Sequence, residues 1–108
     1  MAQQFQFFTI VRKKSFIEII CLFEIPNESV MIEIKSVFNL VFFGSIENVK
    51  LNTIKVIYFD HLFANEILNF AKNLSEKKRK FFIYEITTSF RRYLIRFGLN
   101  QVVLLSSE

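Results

Sequence analysis

The sequence predicts an α/β protein: a mixed β-sheet with helices packed on it, in the order β-β-α-β-α-β-α-β. Three observations carry that reading. Short apolar runs alternate along the chain with longer stretches of helical spacing, the pattern of parallel strands joined by crossover helices. Asp60 stands directly before a stripe formed by Phe63, Ile67, Phe70, Ala71 and Leu74, as an N-cap stands before an amphipathic helix. The 108 residues include 15 Phe but only 2 Gly and 1 Pro, enough apolar surface to offset the ordering entropy of a folded core and exclude disorder.

Taken in order, Phe5 to Val11 alternates weakly and reads as a first strand, and Arg12-Lys13-Lys14-Ser15 is a polar turn. Phe16 to Phe23 is nearly continuous in apolar residues, which suits a central strand covered on both faces. Pro26-Asn27-Glu28 ends it, and Asn27 can cap the next element. From Glu28 to Phe43 the positions Val30, Ile34, Val37, Phe38 and Val41 have helical spacing, although Ile32-Glu33-Ile34-Lys35 also alternates like a strand. Length and the closing Gly44 favour the helix.

Val49 to Phe59 is rich in β-branched residues and reads as a strand region. In the helix that Asp60 caps, Asn65, Glu66, Asn69, Lys72 and Asn73 lie opposite the apolar stripe. Phe81 to Ile86 is a short apolar strand. Thr87 can cap a last helix with core face Phe90, Leu94 and Phe97, which Gly98 closes. Val102 to Leu105 forms the final strand. No repeat or linker divides the chain, so residues 1–108 read as one domain.

Composition removes most function classes. Two isolated glycines make neither a P-loop nor a dinucleotide cradle, and one Cys with one His makes neither a zinc set nor an internal disulfide. No metal, cofactor or catalytic residue is therefore expected. His61 beside Asp60 is the only acid–imidazole neighbour pair, and it lacks a nucleophile and a glycine-containing oxyanion loop nearby. Cys21 lies in an apolar run and reads as a buried small hydrophobe. The longest charge-free stretch, Ser36 to Ile46, is too short for a membrane span, and the polar start does not resemble a signal peptide. The expected location is the cytoplasm.

The net charge of +4 comes from the second half, through Lys77, Lys78, Arg79 and Lys80 and through Arg91, Arg92 and Arg96. Such a patch can bind anions or nucleic acid, or can simply be a solvated face. Aromatic residues do not interleave with these bases as single-strand binding requires, which argues against nucleic acid. Ile95 lies among the three arginines, as an interface spot or as an ordinary surface residue.

Several of these residues, in this order, resemble the STAS domain of the anti-sigma factor antagonists. Phe23-Glu24-Ile25 stands where that family has a Gly-Glu-Leu-type corner. Thr87-Thr88-Ser89-Phe90-Arg91-Arg92-Tyr93-Leu94 followed by Gly98-Leu99 matches its Ser-Pro-x-Val-Arg-Arg-x-Leu…Gly-Leu segment. The resemblance spans about residues 15–103 and implies a bacterial, non-enzymatic regulator that acts by binding other proteins. Its partners would be a kinase-type regulator or the ATPase subunit of a lipid-transporting ABC system, and its Phe-rich surface also allows a homodimer.

One departure stands out. Asp60-His61-Leu62-Phe63 occupies the family's Asp-Ser-Ser-Gly loop, whose serine is phosphorylated in the switch members. Leu62 falls on that serine; a two-residue slip would put Asp60 there as a permanent charge. Neither alignment supplies a phosphoacceptor. The expected partner surface is Asp60, His61, Leu62, Phe63 and Glu66, made apolar by Leu62.

Overall fold

The computed structural model describes residues 5–58, 60–84, 91, 92, 95, 96 and 104–106. Its elements are β1 (Phe8–Arg12), β2 (Phe16–Cys21), α1 (Glu28–Gly44), β3 (Asn48–Asn52), α2 (His61–Glu76), β4 (Phe81–Tyr84) and β5 (Leu104–Ser106). Residues 91, 92, 95 and 96 are helical, as expected between the last two strands. The cap Thr87, the core face Phe90, Leu94 and Phe97, and Gly98 lie outside the described residues.

The sheet has the order β1-β2-β3-β4-β5, with β1 antiparallel to β2 and every later pair parallel. Each of α1 and α2 joins neighbouring parallel strands, so right-handed crossovers place both on the same face. That face is the core. Ile17, Ile19 and Cys21 of β2, Val49 and Leu51 of β3, and Phe81 and Ile83 of β4 alternate inward. They meet Val30, Ile34, Val37, Phe38 and Val41 of α1 and the expected stripe of α2. The helical reading of residues 28–43 thus holds: five buried positions at that spacing outweigh a four-residue alternation.

Aromatic rings lock the layers. Phe38 of α1 stacks on Phe70 of α2 with centroids 4.0 Å apart, and Phe70 meets Phe81 of β4 edge-on at 5.3 Å. On the other face of the sheet Glu18 is also buried, and its carboxylate accepts a hydrogen bond from Asn52 Nδ2 at 3.1 Å. The one charge in the β2 run is thereby satisfied. Burial pushes the Cys21 thiol far above its ordinary pKa, in keeping with a structural role.

Both helix starts are capped as expected: Asn27 Oδ1 accepts from Val30 N and Asp60 Oδ1 from Phe63 N, each at 2.9 Å. Boundaries differ elsewhere. Strand β1 begins at Phe8 and runs through Arg12, and β2 stops at Cys21. Strand β3 covers only Asn48–Asn52 of the expected 49–59, because Asn52 Oδ1 takes the N–H of Ile54 and Val56 N–H turns back to Thr53 O. Gly44 closes α1 without left-handed geometry; the cap after it is extended Ser45.

Phe63→Ala should cost about 3–5 kcal/mol in urea melts, since the ring is fully buried. Asp60→Ala should cost about 1 kcal/mol by losing the cap. Equal costs would mean that the cap, not the core, governs α2.

Candidate functional site

The carboxyl ends of β2 and β3 carry two loops, residues 22–27 and 53–58, and these are joined to each other. Ile57 N–H and Tyr58 N–H both donate to Glu24 O, at 2.9 and 3.3 Å. Val56, fully buried, anchors the second loop from below. Ile54 on one side of that anchor and Ile57 and Tyr58 on the other therefore face outward, beside Ile25. Ile57 is 65% exposed and Leu62, in the first turn of α2, 55%. A run of exposed aliphatic side chains on hydrogen-bonded loops is more than the scattered apolar residues of an ordinary surface.

Beneath these loops lies an aromatic ladder. Phe23 meets Phe8 edge-on at 5.4 Å and Phe63 edge-on at 5.6 Å, all three buried. This corrects the place of Phe63 in the expected partner surface: it supports the loop from inside and offers a partner nothing. Asp60 is partly buried, and its carboxylate is engaged by Phe63 N–H rather than by His61, which is exposed beside it. Glu66 turns toward α1, where its carboxylate stands 4.0 Å from Lys35 Nζ. Of the expected set, Leu62 and His61 are the outward members. Ile25, Ile54, Ile57 and Tyr58 join Leu62 as exposed apolar residues of this end; the expected strand over 49–59 concealed the outward Ile54 and Ile57.

The expected basic run lies at the other end of α2, about 24 Å away at 1.5 Å per residue over its 16 residues. It does not form a uniform face. Lys77 caps α2, Lys78 takes left-handed geometry (φ 60), and Arg79 N–H returns to Leu74 O at 2.9 Å while Lys78 N–H returns to Ser75 O. That is a Schellman turn, and it throws the residue after the left-handed position inward. Arg79 is accordingly only 8% exposed, a correction to its place in the solvated basic patch. Its guanidinium donates to Glu47 O at 2.7 Å, Phe42 O at 3.2 Å and Ser45 Oγ at 2.9 Å. Burial lowers the Arg79 pKa, with the Glu47 carboxylate opposing the shift. Lys77, Lys78 and Lys80 stay exposed; in the helical segment Arg92 and Arg96 are exposed, Arg91 is partly so, and Ile95 is exposed.

No group of three metal-ligating side chains exists among the described residues, and no described helix is long and apolar enough to cross a membrane.

With this geometry the chain compares closely with three solved structures. One is a candidate anti-sigma factor antagonist from Thermotoga maritima, with TM-score 0.82 at 18% identity, over 94% of this chain and 86% of that one. A second is an anti-sigma-factor antagonist (STAS) domain protein from Planctomyces limnophilus, with TM-score 0.83 at 16% identity, over 94% and 90%. A third is SpoIIAA, a cell fate determinant of Bacillus, in its phosphorylated form, with TM-score 0.73 at 14% identity, over 94% and 92%. No protein-family model and no curated protein sequence matches the chain. The fold is thus that of the anti-sigma factor antagonists, as the resemblance in residues 15–103 implies.

Arg79→Ala should destabilise the protein by about 2–3 kcal/mol, because it leaves the carbonyls of Phe42 in α1 and of Glu47 just before β3 unpaired. Lys77→Ala should stay within about 0.5 kcal/mol, and Lys78→Gly should gain about 1 kcal/mol by relieving left-handed strain. Chemical denaturation of the three variants checks the ranking.

Proposed function

We propose that residues 1–108 form one non-enzymatic interaction module of the cytoplasm, which docks a protein partner through the carboxyl-end surface without serine phosphorylation. The observation that carries this reading is the pair of hydrogen-bonded loops that present Ile25, Ile54, Ile57 and Tyr58, with Leu62 exposed on the first turn of α2 that follows. A preformed apolar surface spares a partner the entropy of ordering loops on binding. The fold supports it, since the similar structures are those of anti-sigma factor antagonists, regulators that act on other proteins. SpoIIAA is known in a phosphorylated form, whereas Asp60-His61-Leu62-Phe63 offers no hydroxyl to a kinase.

The partner is a kinase-type regulator or the ATPase subunit of a lipid-transporting ABC system. An aliphatic contact without a charge switch suits a lasting complex, because obligate interfaces are the more hydrophobic ones. Co-purification from the native host distinguishes the two.

Leu62→Asp and Ile57→Asp should each weaken the complex by at least about 2 kcal/mol, roughly thirtyfold, with melting little changed. Calorimetric titration of the co-purified partner measures this. Wild-type affinity in both variants would refute the docking surface. Mass spectrometry after incubation with candidate kinases should find residues 60–63 unmodified.

A further inference from the structure

The opposite end of the sheet, where the parallel strands begin, carries a different chemistry. Three loops meet there, as the register shows: Phe16 stands opposite Asn48, and Val49 opposite Phe81. The hairpin turn contributes Arg12, Lys13 and Lys14, all exposed. The exit of α2 contributes exposed Lys77, Lys78 and Lys80 around buried Arg79. The only acids in these loops and the flanking turn of α2 are Glu47, which pairs with Arg12 at 2.6 Å, and Glu76. This end alone therefore carries a larger positive excess than the whole chain's +4.

Amid these bases stand Phe43 and Ile46, 81% and 87% exposed, the two most exposed large apolar side chains among the described residues. They share one cleft of about 350 Å³ with Phe42, Ser45, Lys77 and Arg79. Ile46 is held outward from both sides. Ser45 Oγ and Glu47 O are fixed by Arg79, and Ile46 N–H donates to Glu47 Oε1 at 3.1 Å. Backbone N–H groups hold the Glu47 carboxyl below its ordinary pKa, so it stays ionised and engaged.

We propose that this end is a membrane-surface docking face: Phe43 and Ile46 enter the headgroup–acyl boundary while Lys13, Lys14, Lys77, Lys78 and Lys80 meet anionic lipid headgroups. Protruding apolar side chains ringed by lysines are the combination that binds anionic bilayers. Nucleic acid accounts for the lysines but not for Ile46, an aliphatic side chain with no base-stacking face. An acidic protein patch would leave both apolar groups without a matching surface. The face lies at the far end of α2 from Leu62, so it is independent of the partner surface.

Flotation with phosphatidylcholine vesicles, with and without phosphatidylglycerol, tests the proposal. The wild-type protein should float with the anionic vesicles only, and less so as salt rises. Lys77→Gln, Lys78→Gln and Lys80→Gln combined should weaken binding about a hundredfold. Phe43→Ser with Ile46→Ser should weaken it at least about tenfold, with an unchanged thermal melt, and Leu62→Asp should float like wild type. The chain has no Trp, so Phe43→Trp is a single reporter whose emission should shift to the blue on anionic vesicles. Absence of flotation, or undiminished flotation of the Phe43→Ser/Ile46→Ser protein, overturns the proposal. So does a Phe43→Trp blue shift seen with a duplex oligonucleotide and not with vesicles, which would assign the face to nucleic acid.

Discussion

The buried guanidinium of Arg79 is the constraint on which one whole end of the molecule depends. Helix α1 ends at Gly44 with no basic residue in its own last turn, so its final carbonyls and the negative end of its dipole need a partner from elsewhere. Arg79 supplies one from the exit of α2: it takes Phe42 O and Ser45 Oγ at the end of α1 and Glu47 O ahead of β3. Desolvating a cation is costly, and here three acceptors offset the cost. The arrangement couples two helix exits and a strand start through a single side chain. It also fixes the backbone on both sides of Ile46, which is why so apolar a residue stays outside rather than folding back.

The two ends of the sheet differ in the kind of contact they can make. At the carboxyl end, exposed aliphatic side chains stand with Glu24 and Lys55 as the exposed charges of the two loops, above the buried ladder Phe8–Phe23–Phe63. At the amino end, lysines surround two apolar tips. Under the readings proposed above, a protein would bind at one end and an anionic bilayer at the other. Helix α2 separates the two by its full length, so neither contact would occlude the other. Such a module would hold its partner near a membrane without spanning one.

Much of the fold was legible because the core obeys simple periods. The stripe of α2 and the buried face of α1 follow from spacing, β2 from its continuous apolar run, and the caps Asn27 and Asp60 from residue type at a helix start. The over-long third strand shows where spacing misleads. Ile54, Val56 and Ile57 have strand composition, but only Val56 packs inward. The signal against a strand was present in Asn52, whose side chain takes the N–H of Ile54 and turns the chain out of the sheet. Arg79 was not legible. In Lys77-Lys78-Arg79-Lys80 nothing marks which residue enters the interior, because a lysine rather than a glycine takes the left-handed position that decides it.

The position of Asp60 bears on how such a surface would be regulated. Read from sequence, it could stand as a permanent negative charge in the place of a phosphorylated serine. Its carboxylate is instead spent on the first turn of α2, accepting the Phe63 N–H at 2.9 Å, and it is partly buried. A charge satisfied at a helix start and drawn into the cap is weakly presented to a partner, whereas a phosphoryl group carries additional charge and acceptor oxygens outward. Asp60 is therefore a poor imitation of a phosphorylated state. Beside it stand Leu62 and Ile57, which gain from desolvation in any docked complex and carry no charge to oppose it. Under the docking reading proposed above, the loop would favour docking in its resting chemistry, and release would come from competition by another protein rather than from modification of residues 60–63.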